Sequence, residues 1–265
     1  MTLLRRPSIE ENGRYQHVTP ENADWKYVGF SAYQLEEGQT FSLDASDQER
    51  CLVILSGIAN IKAGDESFEN VGERMSVFEK IAAHAIYTPN DCPVTVTANT
   101  PLEIAVCEAP GHGNHPIRWI KPADMSRETR GEGSNVRHVC NILPEDEPAD
   151  SLLVVEVITP SGNWSSYPPH KHDSDNVPHE SYLEETYYHR LNPSQGFCFQ
   201  RVYTDDLDID ETMAVSDKDV VMVPKGYHPV GVPHGYESYY LNVMAGPNRI
   251  WIFKNHPDHE WMLKP

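Results

Sequence analysis

The sequence lacks any apolar run approaching the ~20 residues needed to span a bilayer, which excludes a helical membrane protein. Positive charge is scarce: 21 Lys and Arg stand against 40 Asp and Glu, a formal net charge of −19. Phosphate backbones and anionic lipid repel so acidic a chain, so neither nucleic acid nor a membrane is an expected partner. The opening stretch MTLLRRPSIEENG has a basic pair with no apolar run behind it, so no secretory signal is expected. Cysteine is sparse and unpatterned. Cys51, Cys92, Cys107, Cys140 and Cys198 are odd in number and lack CxxC spacing, which points to reduced, buried thiols in a cytoplasmic protein. Helical periodicity is absent except for a weak signal over Ile120–Arg130, and there is no GxSxG elbow. The pairs Gly111/Gly113 and Gly131/Gly133 have no strand–helix context for a phosphate loop and read as linker glycines.

What the chain has instead is turns between short strands. Its 16 Gly and 21 Pro are spread along 265 residues, and 39% hydrophobic residues suffice for a sizeable core. Strands are expected at Cys51–Leu55, Ile58–Lys62, Ile86–Tyr87, Val94–Ala98 and Leu102–Cys107, separated by turns such as Ala63-Gly64-Asp65 and Pro89-Asn90-Asp91. Ala109–Pro148, richer in Gly, Pro, Asn, Arg and Glu, reads as a connector. Strands resume at Leu152–Ile158, Glu185–His189, Gly196–Tyr203, Val220–Val223 and Tyr239–Met244. The pattern is all-β, with two β units in tandem that meet near residues 110–150.

Eight of the 13 histidines lie between His170 and His259. In Pro168-Pro169-His170-Lys171-His172-Asp173, two imidazoles stand two residues apart, on one face of an extended chain. Such a pair holds a cation when a carboxylate and a third imidazole join it. Glu180, Glu184 and Glu185 are the candidate carboxylates, and His228, in Pro224-Lys225-Gly226-Tyr227-His228, or His234 is the candidate third histidine. If Glu185 points inward, Tyr187 and His189 share its face; if Glu184 does, Thr186, Tyr188 and Arg190 do. The superficially zincin-like His256-Pro257-Asp258-His259-Glu260 is better read as a structural turn, because Pro257 disfavours the required helix.

The segments PPHKHD (168–173), ETYYH (185–189), GFCFQRVYTDDLDID (196–210), VPKGYHPV (223–230), YYLNVMAGPNR (239–249) and DHEWM (258–262) carry a resemblance. The chain resembles the cupin superfamily and, within it, the 5-deoxy-glucuronate isomerase family of myo-inositol breakdown. That resemblance implies a bicupin: two tandem β-barrels of the double-stranded β-helix, or jelly-roll, kind. Residues 1–125 would form a metal-free barrel and 126–265 a barrel with one divalent transition metal, Zn or Mn. The family pattern falls on His170, His172, Glu185 and His228, with Asp173–Glu184 as an inserted loop over the barrel mouth. It leaves room for a homo-oligomer, since some relatives assemble into larger rings.

The implied chemistry is an aldose–ketose isomerisation of a small anionic sugar acid through an enediol(ate), which needs a base, a proton relay and stabilisation of the developing oxyanion. Candidates for the proton transfers are His189, His234, Glu184 and Tyr187. The substrate carboxylate would meet Arg201, Arg249 or Lys225, with Tyr203 beside them. A metal-dependent cupin dioxygenase and a non-catalytic uronate-binding cupin are the competing readings. The first requires O₂ uptake, and the second would bind the sugar acid without turnover.

Overall fold

The computed structural model describes residues 2–263. They form two compact units: Pro7–Ser126 with Asn141–Val154 make the first. Arg127–Cys140, the described chain from Val155 onward and the residues before Pro7 make the second. Strands dominate both, and helix is limited to the turn Pro20–Ala23 and short 3-10 segments.

In the first unit, one antiparallel sheet runs in the order Arg118–Ile120, Ala85–Thr88, Gln48–Ser56, Leu102–Pro110, Gly29–Leu35, Arg14–Val18. A second runs Thr40–Leu43, Val94–Ala98, Ala59–Ala63, Glu66–Val71. Leu52, Ile54, Ile104 and Val106 from the first sheet join Ile61, Val94 and Val96 from the second in one apolar cluster. Each side chain so buried contributes about 2 kcal/mol. The V-T-V-T-A strand Val94–Ala98 shows why the sequence folds this way. Its valines are buried, while the hydroxyls of Thr95 and Thr97 meet Ser42 and Thr40 across the strand pair at 3.0 Å each. Glu49 is fully buried in the same unit. Its carboxylate accepts from the backbone N–H groups of Asp150 (2.8 Å), Ser151 and Leu152 (2.6 Å each) and from the Tyr87 hydroxyl (2.6 Å).

The second unit is built on a sheet in the order Leu4–Arg5, Val220–Val223, Glu184–Asn192, Glu237–Ala245, Leu153–Thr159, Arg137–Leu143, Ser126–Arg130. A four-stranded sheet follows the order Trp164–Ser165, Val230–Gly231, Phe197–Tyr203, Asp210–Ser216. The expected inserted loop is a two-stranded ladder of Asp173–Asn176 with Glu180–Tyr182. The turn expected near His256 is present as the 3-10 segment Pro257–Leu263.

Two expectations are overturned. Ile120–Arg130 is not a helix: strand Arg118–Ile120 gives way to a 3-10 turn at Pro122–Asp124 and then to strand Ser126–Arg130. The stretch offers too few apolar side chains to cover one helix face, whereas a mostly exposed edge strand satisfies its backbone through the sheet. Ala109–Pro148 is likewise more than a connector, since it supplies three strands, Arg118–Ile120, Ser126–Arg130 and Arg137–Leu143. All five cysteines are buried and none is in a disulfide, as expected. No described helix is long and apolar enough to cross a membrane.

Candidate metal centre

Strand Glu184–Asn192 lies between Val220–Val223 and Glu237–Ala245, with Glu185 opposite Val223 and Met244. Pleating therefore separates Glu184 from the face that Glu185, Tyr187 and His189 share. Two local structures bring imidazoles to Glu185. His172 is fixed by reciprocal contacts with Leu183: the Leu183 N–H donates to the His172 carbonyl at 2.9 Å, and His172 Nδ1 donates to the Leu183 carbonyl at 3.0 Å. His228 Nδ1 donates to the Gly226 carbonyl at 2.8 Å. Gly226 takes φ +93°, and a Cβ there would lie 2.5 Å from the Tyr203 carbonyl oxygen, so the turn that presents His228 requires glycine.

With both Nδ1 atoms engaged by backbone, both Nε2 atoms face Glu185. Its Oε2 is 3.0 Å from His172 Nε2 and 3.3 Å from His228 Nε2, and all three residues are buried. The potential ligand atoms of His172, Glu185 and His228 lie within 4.8 Å of one another. His228 Nε2 has no hydrogen-bond partner although buried. Burial holds the His228 pKa down to about 4 against the pull of Glu185, so the ring is neutral and its lone pair is available. His172 goes the other way: burial is the largest single influence and penalises its charge, but the hydrogen bond and charge of Glu185, together with the backbone hydrogen bonds, outweigh it and raise the pKa. A divalent cation replacing the proton between these two groups would also satisfy the orphaned His228 nitrogen, so these residues fit one.

His170 stands beside this trio rather than within it. Its ring centroid is 4.9 Å from that of His228, 6.4 Å from that of His172 and 4.7 Å from Phe253. Burial, with His228 and His172 nearby, pushes its pKa well below the usual histidine range.

A cleft lined in part by His170, Tyr187, Tyr240, Ser166, Asn242 and Arg137 lies beside the cluster: the rings of His170 and Tyr187, which line it, have centroids 4.9 and 5.6 Å from that of His228. Tyr187 and Tyr240 have ring centroids 4.9 Å apart. The Tyr187 hydroxyl meets Ser166 Oγ at 2.9 Å, and the Tyr240 hydroxyl makes a close hydrogen bond with Ser165. Burial pushes both phenol pKa values up, so both hold their protons. Asn242 Nδ2 is buried without a partner, a second orphaned polar atom in the same place.

Of the other expected site residues, only Tyr187 lines this cleft. His189 is fully buried; its Nε2 donates to Gln200 Oε1 at 2.9 Å, while Gln200 Nε2 donates to the His228 carbonyl at 3.4 Å, so the pair props the His228 turn. Glu184 is buried opposite Ala245, and Glu180 accepts from the Asp173 N–H at 2.8 Å, pinning the inserted ladder. His234 is exposed in the turn where the Tyr236 N–H bonds the Pro233 carbonyl. Arg201 makes a two-pronged ion pair with Asp210 at 2.7 and 2.9 Å and lies 4.0 Å above the Tyr203 ring. Lys225 is exposed and Arg249 half-buried. The sequence reading missed Arg137, Tyr240, Asn242 and Ser166. Alternation along Glu237–Ala245 could have flagged Tyr240 and Asn242 as sharing one face.

The model of the KduI/IolB family matches residues 3–262. The chain belongs to the KduI/IolB family. Within this family, it is 60% identical over 262 residues to the 5-deoxy-glucuronate isomerase of Geobacillus thermodenitrificans, covering 99% of this chain and 96% of that one. An IolB-like protein of Salmonella typhimurium, solved by crystallography, superposes over 100% of both chains with a TM-score of 0.97 at 53% identity. The oxalate decarboxylase of Lactobacillus farciminis matches 98% of this chain and 88% of its own with a TM-score of 0.68 at 13% identity. That last likeness shows the fold alone, and the fold is the bicupin.

Proposed function

We propose that this chain is a 5-deoxy-glucuronate isomerase, an aldose–ketose isomerase that converts 5-deoxy-D-glucuronate to 5-dehydro-2-deoxy-D-gluconate in myo-inositol breakdown. The observation that carries the chemistry is the buried His172–Glu185–His228 trio, with an orphaned imidazole nitrogen, beside a cleft lined by two protonated phenols, one of which, Tyr187, has its ring centroid 5.6 Å from that of His228. The family relationship supports the choice of substrate.

The reaction is an internal redox exchange. The proton on the carbon next to the aldehyde leaves, an enediol(ate) forms across the two carbons, and a proton returns to the former aldehyde carbon while another passes from one oxygen to the other. Nothing external is oxidised or reduced. In this reading His172, Glu185 and His228, joined by His170, hold one divalent cation, Zn or Mn. When bound, that ion supplies polarisation of the carbonyl and charge stabilisation for its developing oxyanion. Tyr187 keeps its proton and donates it to a substrate oxygen, with Ser166 in contact at 2.9 Å to pass protons on. Tyr240 offers a second phenol, and the unpartnered Asn242 Nδ2 a donor for a sugar hydroxyl. Five buried thiols, none of them in a disulfide, support a reducing, cytoplasmic setting.

The test is proton NMR of the aldose with purified enzyme in D₂O under anaerobic conditions. Ketose formation with deuterium incorporated at the former aldehyde carbon is the expected result. Absence of turnover without O₂ would overturn the isomerase reading.

A further inference from the structure

A sugar acid presents two ends to an enzyme: the carbonyl end, where the chemistry occurs, and a carboxylate several carbons away. The trio and the phenols suit the first. We propose that Arg137 anchors the second, which makes the enzyme selective for uronates over neutral aldoses of the same length; this inference rests on the isomerase reading above.

Three observations carry it. Arg137 lines the cleft together with Tyr187, Tyr240 and His170. Its guanidinium has one hydrogen bond, from NH1 to the Asn135 carbonyl at 3.1 Å, and no carboxylate within ion-pair distance among the described residues. Other arginines of the unit are paired: Arg201 with Asp210 at 2.7 Å, Arg190 with Asp217 at 2.9 Å, and Arg130 with Glu128. In a chain with 40 acidic side chains, a cation facing a cleft without a carboxylate is a site prepared for an incoming anion. Burial also presses its pKa down, the mark of a guanidinium only partly compensated by its surroundings. Third, the turn before it is shaped around the guanidinium. Gly131 adopts φ +81°, and a Cβ there would lie 2.0 Å from the Asn135 carbonyl oxygen and 2.7 Å from Arg137 NH1. Arg130, 5.7 Å from the Trp251 ring, lines the same cleft but already serves Glu128.

The test is calorimetric titration of the metal-loaded enzyme with two probes that cannot isomerise. One is the alditol acid made by reducing the substrate's aldehyde, and the other is the alditol with a hydroxymethyl in place of the carboxylate. Arg137→Gln should weaken binding of the acid about 30-fold or more and leave the neutral alditol within about threefold. Arg137→Lys should recover part of the loss, since it restores charge without the planar fork. Metal content and near-ultraviolet circular dichroism identify a variant that has merely misfolded, in which case the Lys variant decides. Unchanged affinity for the acid, or equal losses on both probes, would overturn the inference. Turnover of the aldose by the wild-type enzyme, followed separately, judges the isomerase reading on its own.

Discussion

Glu49 and Glu185, one buried glutamate from each unit, are held in opposite ways. Glu49 in the first unit is surrounded by donors that belong to the chain: three backbone N–H groups and the Tyr87 hydroxyl, all within 2.8 Å. Glu185 in the second faces two imidazoles, and one of them leaves a buried nitrogen without a partner. A buried polar cluster closed by its own chain is a structural device; one left open costs stability unless something else completes it. The surroundings follow the same division. The first unit's sheets enclose an apolar cluster around Leu52, Ile54, Val96 and Ile104, whereas His172, His189 and His228, the buried histidines among the described residues, all lie in the second.

The comparison can be broken or sharpened in three ways. The largest effect is expected from Glu49→Ala, which strands three N–H groups and a phenol. It should cost about 3–5 kcal/mol in chemical denaturation while leaving metal content and turnover per folded molecule intact. Loss of bound metal in that variant would show that the two sites are not separable. Next comes pH. Burial lowers the His189 pKa to about 4 from an ordinary value of 6.5. Between those values the unfolded chain takes up a proton that the folded chain refuses. The stabilising contribution is therefore complete above pH ~6.5 and is lost as pH falls through ~4, about 3 kcal/mol in all. Urea midpoints at pH 7.5 and 5 should differ more for the wild type than for His189→Gln, and equal differences would remove His189 from this role. Smallest in free energy is Tyr187→Phe, which should lower kcat about 100-fold with little change in KM or stability. A normal kcat would leave the proton relay to other groups.

The comparison also explains what was legible in the sequence. Strands with a local signature were readable: Val94–Ala98 and Val220–Val223 fall where their apolar patterns place them, and Cys51–Leu55 sits inside Gln48–Ser56. For the candidate site, HxH and the Pro224–His228 turn carry local patterns, whereas the choice of Glu185 over Glu180 and Glu184 comes from the family resemblance, because alternation leaves a polar face either way. Arg137 was not. It opens a strand in a stretch whose neighbours are Gly, Glu, Ser and Asn, the composition of a linker, and its edge partner Ser126–Arg130 has no buried face to announce it. Nor does sequence distinguish Arg201 from Arg137. What separates them is that Asp210 on the neighbouring strand pairs with one and no carboxylate lies within ion-pair distance of the other among the described residues, a fact of pairing and not of composition.

The most direct test of the account is elemental analysis of the purified protein beside its Glu185→Gln and Glu49→Gln variants. About one equivalent of transition metal per chain is expected in the wild type and in Glu49→Gln, with most of it lost in Glu185→Gln. Metal retained in full by Glu185→Gln would contradict the assignment of the open cluster as the metal centre.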